Sequence, residues 1–175
     1  MFQIVRDTRE QEPFLFLGYP VEVVEGALNA GDYSIPGFTD RVAVERKSLS
    51  DLVGCLTTGR DRFTRELERL RGYESAVVVV ESGYNDLAAG RYRSKLNPAS
   101  ALQSIVSMMQ AYRMPFFFAG TRPNAERFAF DFLRHYYRHA EARYRAIQSM
   151  GDTGHNTTVE TGDNGNTGEI RHAKR

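Results

Sequence analysis

The sequence predicts an α/β fold in which helices flank a mixed central β-sheet. Short strand-like segments dominate residues 1–47, and helical segments then alternate with two apolar runs at 76–80 and 115–119. Short apolar runs bounded by polar residues are typical of strands buried on both faces of a sheet. Strands followed by alternating helices and strands indicate this architecture.

The composition fits one globular domain. Of the 175 residues, 41% are hydrophobic and 26% charged, which suffices for a sizeable core. The net charge is only +1, so attraction to nucleic acid has to come from local clusters. The single cysteine, Cys55, excludes an internal disulfide and favours a buried structural thiol in a reducing compartment. No signal peptide or membrane span is recognised, so we expect an intracellular protein (cytoplasm, nucleoid or nucleus) without membrane partners.

Local patterns predict the individual elements. Alternating and β-branched segments predict four early strands, at 2–6, 21–25, 33–35 and 41–44. Apolar residues at helical spacing predict helices at 48–56, 60–71, 123–145 and one that starts at Asn97-Pro98. We expect the apolar stripe of this last helix to pack in the core; it comprises Leu102, Ile105, Val106, Met109 and Tyr112. Residues 83–95 are predicted to form a mixed connection.

The predicted hairpin brings two like charges together. Pro36-Gly37 opens its loop, and symmetric pairing about that loop places Asp32 directly opposite Glu45. Opposed residues lie about 4.5–5.5 Å apart at Cβ, and like charges there destabilise a sheet. A shared divalent cation is the simplest reason for such a pair. Lys47 follows Glu45 by two residues and so shares its face, whereas Arg46 points to the other face.

Two carboxylates beside an ammonium suit metal-assisted phosphodiester hydrolysis. We expect Asp32 and Glu45 to bind Mg²⁺ (or Mn²⁺) directly, and Lys47 to orient the attacking water or offset charge on the phosphate. The competing interpretation is a charged hairpin end with Glu45 and Lys47 in solvent, because Glu-x-Lys is a common sequence.

Several motifs together resemble one known family. Gly31-Asp32-Tyr33 followed by Val44-Glu45-Arg46-Lys47-Ser48-Leu49-Ser50-Asp51 resembles the nuclease domain of XPF-type structure-specific endonucleases, in the PD-(D/E)-x-K superfamily. Asp7-Thr8-Arg9-Glu10 is similar to the family's Asp-x-Arg-Glu after its first strand. Gly59-Arg60 is similar to its Gly-Arg on the following helix. The resemblance implies a restriction-endonuclease-like core and a metal-dependent DNA endonuclease.

The resemblance also implies roles for further residues. Asp7 would lie near the metal centre and help through water or a second ion, and Glu10 is a secondary catalytic candidate. Arg46 would contribute its backbone carbonyl or support its neighbours. Asp51 keeps two interpretations, a helix cap paired with Ser48 or a supporting active-site residue.

Four arginines are candidate DNA contacts. Arg9 and Arg60 fall within the matching motifs. Arg91 and Arg93 flank Tyr92, and interleaved basic and aromatic side chains can grip a DNA backbone. An ordinary exposed loop tyrosine is the alternative for that segment.

The resemblance implies branched DNA as substrate, such as flaps, forks or single-strand/double-strand junctions. Nothing here resembles the tandem helix-hairpin-helix module of larger relatives, so substrate choice is expected to rest on a partner or to be looser. The alternatives are a catalytically silent DNA-binding or scaffold subunit and a Holliday-junction resolvase.

The chain is predicted to contain one nuclease domain over 1–147, followed by a polar, disordered tail over 148–175. The 123–145 helix carries two apolar stripes, and the family has a dimer interface at this end. We therefore expect a homodimer or a heteromeric partner there.

Overall fold

The computed structural model describes residues 1–152, with side chains to Met150. The chain divides into two compact units, Met1–Ala140 and Glu141–Arg175. The elements in chain order are β1 (Gln3–Asp7), β2 (Glu22–Gly26), β3 (Tyr33–Ser34), β4 (Val42–Lys47), α1 (Leu49–Leu56), α2 (Arg60–Leu70), β5 (Ser75–Val80), α3 (Tyr84–Ala88), α4 (Pro98–Tyr112), β6 (Phe116–Phe118) and α5 (Arg122–Asp152).

The strands form one mixed sheet in the order β2-β1-β3-β4-β5-β6. The β1–β3 and β3–β4 pairs are antiparallel, whereas β1–β2, β4–β5 and β5–β6 are parallel. The predicted mixed central sheet flanked by helices is therefore confirmed. Tyr33 pairs with Val44, which is the register that symmetric pairing about Pro36-Gly37 predicts.

Two hydrophobic clusters cover the two faces of the sheet. Val78 and Val80 pack in a cluster with residues of α1, α2 and α4. Val77 and Val79 pack in the other cluster, with residues of α5 and the β1–β2 connection. Alternate valines of β5 thus face opposite clusters, which confirms a central strand buried on both faces.

Two local predictions were wrong. The 115–119 segment is an edge strand rather than a buried one, and Phe117 at its centre is 38% exposed. Helix α4 buries Ala101, Ile105 and Met108, whereas Val106 and Met109 of the predicted stripe are exposed. The stripe was misplaced because Ala101 is too small to mark a core face in an apolar pattern. The 83–95 connection contains the short helix α3.

Helix α5 begins at Arg122 and continues to Asp152, five residues into the segment predicted as a tail. The remainder of that predicted tail, 153–175, lies outside the described residues. In the part of the chain described here, no helix is both long and apolar enough to cross a bilayer.

Candidate active site

The backbone around Asp32 is held by its neighbours in the sheet. Its N–H donates to Val44 O at 2.9 Å, and its C=O accepts from Asp7 N at 2.9 Å. The preceding Gly31 has φ +78°, and a Cβ there would lie 2.8 Å from Ala43 Cβ. Only glycine fits this turn without strain, so Gly31 fixes where the Asp32 side chain leaves the backbone.

Asp32, Glu45 and Lys47 converge at this end of the sheet. Lys47 Nζ forms an ion pair with Glu45 Oε1, which agrees with their predicted common face. Asp32 Oδ2 accepts the Arg46 backbone N–H at 2.7 Å. The side chains of Glu45 and Lys47 are only 7% and 15% exposed. The three groups thus form a compact, largely desolvated cluster.

This burial perturbs all three ionisable groups. Burial, reinforced by the charge of Glu45, raises the pKa of Asp32 to about 8. Burial also raises the pKa of Glu45, although Lys47 opposes the shift. Burial alone would lower the pKa of Lys47, but the Glu45 carboxylate outweighs it and the net shift is upward. Two carboxylates that resist simultaneous ionisation favour a bound cation.

The carboxylate oxygens are hard ligands of the kind that Mg²⁺ and Mn²⁺ prefer, so this donor set fits a divalent cation. Within residues 1–152, no three His, Cys, Asp or Glu side chains are grouped closely enough to form a ready three-ligand site. Asp32 and Glu45 are therefore the pair around which such a site would be completed by water and phosphate oxygens.

Asp7 is buried, and its carboxylate accepts four hydrogen bonds. They come from the Arg9 N–H, from Arg9 Nε and Nη2, and from the Leu28 N–H, at 2.7–2.9 Å. Burial favours the neutral acid, but these donors hold the pKa of Asp7 below its usual value. Both oxygens are thus occupied, and a contact between Asp7 and a metal would require Arg9 to move. Its metal role stays a prediction.

The Arg46 side chain lies on the opposite face and forms a second charged cluster. Its guanidinium, 4% exposed, donates to Glu81 Oε1 and Oε2 at 2.7 and 3.1 Å and to Glu12 Oε2 at 3.0 Å. It also pairs with Glu10 Oε1 at 3.4 Å. Arg46 thus supports its neighbours by its side chain and by its N–H, which is one of its two predicted roles, and the contribution of its backbone carbonyl stays a prediction.

Glu81 is a site-supporting residue that sequence reasoning missed. It also accepts Arg122 Nη1 at 2.5 Å, and its N–H donates to Lys47 O at 2.9 Å. Arg122 in turn donates to the carbonyls of Glu12 and Pro13 at 2.8 Å. The one sequence signal was its position directly after a buried strand, where functional side chains commonly lie.

Asp51 has the geometry of a helix cap. Its N–H donates to Ser48 Oγ at 3.1 Å, and Ser48 Oγ donates to Asp51 Oδ2 at 2.7 Å. Asp51 also borders the cleft that contains Glu45 and Lys47, so the cap interpretation does not displace the active-site one.

That cleft has a volume of about 650 Å³ and is lined by polar and charged groups. Helix α2 contributes Arg62, Glu66 and Arg69, at i, i+4 and i+7, so one helix face borders the cleft. Glu66 Oε1 accepts the Gly31 N–H at 2.9 Å. Arg9 and Glu10 also line this cleft, as predicted for the motif that contains them.

The other predicted arginines lie outside this cleft. Arg60, the residue taken from the Gly-Arg motif, is exposed and donates to Ser104 Oγ at 3.3 Å. Arg62, two residues further along the helix, borders the cleft in its place, and spacing alone could not distinguish the two arginines. Arg91 and Arg93 line a neighbouring groove instead.

Comparison with known proteins identifies the family to which this chain belongs. The ERCC4 domain model matches residues 6–132. DNA repair endonuclease XPF of Drosophila melanogaster is 28% identical over 114 residues, covering 64% of this chain and 11% of that protein. DNA repair endonuclease XPF of Cricetulus griseus is 34% identical over 77 residues, covering 44% and 8% respectively. The chain therefore matches only about a tenth of these relatives' length.

Two solved structures share the fold. XPF from Aeropyrum pernix aligns with a TM-score of 0.64 and 22% identity, over 84% of this chain and 73% of that one. Its complex with DNA aligns with a TM-score of 0.63 and 22% identity, over 79% and 66%. These matches confirm the predicted restriction-endonuclease-like fold and the resemblance to XPF-type nuclease domains. With most of its length matched by the family model, the chain belongs to the ERCC4 domain family.

Proposed function

We propose that this chain is a divalent-metal-dependent DNA endonuclease that hydrolyses phosphodiester bonds in branched DNA. One observation carries the proposal. The buried carboxylate of Glu45 and the half-buried carboxylate of Asp32 lie beside Lys47 in a cleft bordered by arginines. Relatives named DNA repair endonucleases support a role in DNA repair or recombination. A DNA substrate would place the activity inside the cell, in the cytoplasm with its nucleoid or in the nucleus.

Asp32 and Glu45 would hold Mg²⁺ or Mn²⁺ through their oxygens, with Asp7 as a secondary contributor. Such a cation supplies Lewis acidity at a phosphate oxygen and lowers the pKa of bound water. The Arg46 N–H orients Asp32 Oδ2, which leaves the other carboxylate oxygen of Asp32 for the ion. Burial keeps water from screening these charges, so the site favours an ion more than an exposed pair would.

Lys47 would act as a hydrogen-bond donor and as a positive charge beside the metal. Its raised pKa keeps the ammonium protonated at neutral pH, so it serves as a donor rather than a base. In that state Lys47 can orient the attacking water or offset charge on the phosphate. Glu10 and Arg46 act indirectly, through the cluster centred on Glu81.

The arginines would position the DNA backbone. Arg62 and Arg69 border the cleft from α2, and Arg9 borders it from the loop after β1. Guanidinium groups bind phosphate oxygens in a bidentate manner and hold register without reading sequence. Arg60 lies further out, so we place it as a contact to the flanking DNA.

We also propose self-association, or pairing with a heteromeric partner, through the 123–145 helix. Phe128 and Phe132 stack on each other, and Phe128 stacks on the half-exposed Phe117 of edge strand β6. A half-exposed aromatic surface beside an unpaired strand edge is typical of an interface. Sedimentation that gives a monomer at micromolar concentration would contradict self-association and leave a heteromeric partner for this helix.

The test is cleavage of labelled fork, flap, four-way junction and duplex DNA with Mg²⁺ or with EDTA. Wild-type protein should cut forks or flaps only with the metal. Glu45→Gln and Lys47→Met should each lower the rate by at least about 100-fold, the usual loss for such groups. Glu25→Gln, an exposed change on β2, is the control.

Other outcomes would point elsewhere. Binding of DNA without cleavage, unchanged by Asp32→Ala, would indicate a scaffold subunit. Symmetrical paired nicks in the four-way junction would indicate a resolvase. Metal-independent cleavage would refute the proposed chemistry.

A further inference from the structure

A second groove lies next to the cleft and has no role in the proposed chemistry. It has a volume of about 470 Å³ and runs between α1 and the loop that follows α3. The helix side presents Leu49, Ser50, Val53, Gly54 and Thr57, and the loop side presents Arg91 to Ser94. Ser50 borders both the groove and the active-site cleft, so the two spaces meet at the start of α1.

Gly54 is the feature that suggests a ligand. Glycine is among the least favourable residues within a helix, and it usually serves a turn or a close approach. Gly54 lies within α1, and its carbonyl accepts the N–H groups of Thr57 and Gly59 where the helix ends, which any residue could do. Among the described residues, no atom outside its own helix backbone lies within 4 Å of the position that a Cβ would take, so no close approach there requires glycine. A Cβ at this position would enter the groove, so a molecule seated in the groove accounts for the glycine.

The lining indicates the chemistry of that molecule. Leu49 and Val53 supply an apolar helix wall, and Tyr92 supplies an aromatic one. The Tyr92 hydroxyl donates to Leu96 O at 3.0 Å, which holds the ring in place. Flat apolar surfaces between such walls are what a nucleobase provides, and aromatic side chains are common platforms for unstacked bases.

Two arginines at the same groove suit the backbone of that nucleotide. Arg91 is held by Asp86 Oδ1 at 2.9 Å. Arg93 is exposed and has no acidic partner among the described residues. Positive charge beside an apolar slot matches a phosphate attached to a base, and matches a purely apolar peptide side chain poorly.

We propose that this groove takes one unstacked nucleotide of the DNA strand as that strand leaves the active-site cleft. The inference rests on the proposed function, because it names how the same substrate continues past the scissile bond. Removing a base from its stack requires the least free energy where the strand is already unpaired. The groove would therefore favour DNA with a single-stranded segment beside the cleavage site.

The test fills the groove without disturbing the fold. Gly54→Leu places a side chain in open space, and it should raise the melting temperature slightly because leucine favours helix. Ser107→Leu, which adds the same side chain to an exposed position on α4, is the matched control. Base stacking at such sites is worth about a tenfold change in affinity, so Gly54→Leu should weaken fork binding about tenfold. Ser107→Leu should bind as wild type does.

Fluorescence locates the nucleotide independently of cleavage. Forks carrying 2-aminopurine at successive positions near the cleavage site are mixed with protein in EDTA. One position should change its emission with wild type and with Ser107→Leu, and not with Gly54→Leu. An abasic nucleotide at that position should weaken wild-type binding about tenfold and leave Gly54→Leu unaffected.

The results separate this inference from the proposed function. Equal binding and equal emission changes by wild type and Gly54→Leu would overturn the groove assignment while leaving nuclease activity intact. Binding without cleavage would refute the proposed chemistry, and the emission scan would still decide the groove. A wild-type chain that does not bind DNA would overturn both.

Discussion

The raised pKa of Asp32 predicts that the metal-free protein loses stability as pH rises. In the unfolded chain this carboxyl ionises near 3.8, whereas in the fold it keeps its proton until about pH 8. Between those values unfolding releases a proton, so each pH unit lowers the free energy of unfolding by about 1.4 kcal/mol. The favourable contribution of Asp32 to the free energy of unfolding is fully present below about pH 4 and is lost above about pH 8.

Urea denaturation in EDTA measures this loss. From about pH 5.5 to about pH 7.5, the free energy of unfolding of the wild type should fall by about 3 kcal/mol relative to that of Asp32→Asn. Asparagine keeps an acceptor for the Arg46 N–H but cannot ionise. Asp40→Asn, at an exposed loop position, should keep the wild-type pH dependence.

Added Mg²⁺ should reduce or reverse this fall in the stability of the wild type relative to Asp32→Asn, because a bound cation favours the ionised forms of Asp32 and Glu45. Parallel pH curves for wild type and Asp32→Asn in EDTA would refute the reasoning. That result would mean that Asp32 is already ionised in the folded protein without metal.

Further predictions concern the residues around the pair. Glu81→Ala should lower the free energy of unfolding by about 3 kcal/mol, because it leaves the buried Arg46 guanidinium without its bidentate partner. Glu25→Ala breaks an exposed ion pair, so it should lower the free energy of unfolding by less than about 1 kcal/mol in the same urea titration. Equal losses would show that the Glu81 cluster is not a structural centre. Arg62→Ala should weaken DNA binding about tenfold and reduce its salt dependence, whereas Arg60→Ala should weaken it only about twofold. Fluorescence anisotropy at two salt concentrations measures both, and the reverse ranking would contradict the assignment of the cleft arginines.

The sequence predicted the centre of the site better than its surroundings. Strand periodicity and one short loop sufficed to pair Tyr33 with Val44, because a one-residue slip would turn each side chain to the wrong face and the loop fixes the register between the remaining choices. The same period placed Lys47 beside Glu45. Both relations are local in the chain, and local geometry is what a sequence pattern encodes most directly.

The support of the site could not be predicted in this way. Glu81 contacts Arg46 across 35 residues of chain and Arg122 across 41, and no spacing rule relates side chains from three such distant segments. Likewise, both Arg60 and Arg62 lie at the start of α2, and only tertiary packing decides which one faces the cleft. Exposure of β6 followed from its place at the sheet edge, which its Phe-Phe-Phe sequence does not reveal.

Helix α2 borders the cleft and also contacts the turn that precedes Asp32. One of its faces presents Arg62 and Arg69 to the cleft, and Glu66 on the same face accepts the N–H of Gly31, the residue before Asp32. Under the proposed function, a bound strand that pulls on these arginines would act through Glu66 on the turn that positions the Asp32 carboxylate. DNA binding and the position of the proposed metal ligand would then be linked, so we expect substitutions on this face of the helix that alter one to alter the other as well.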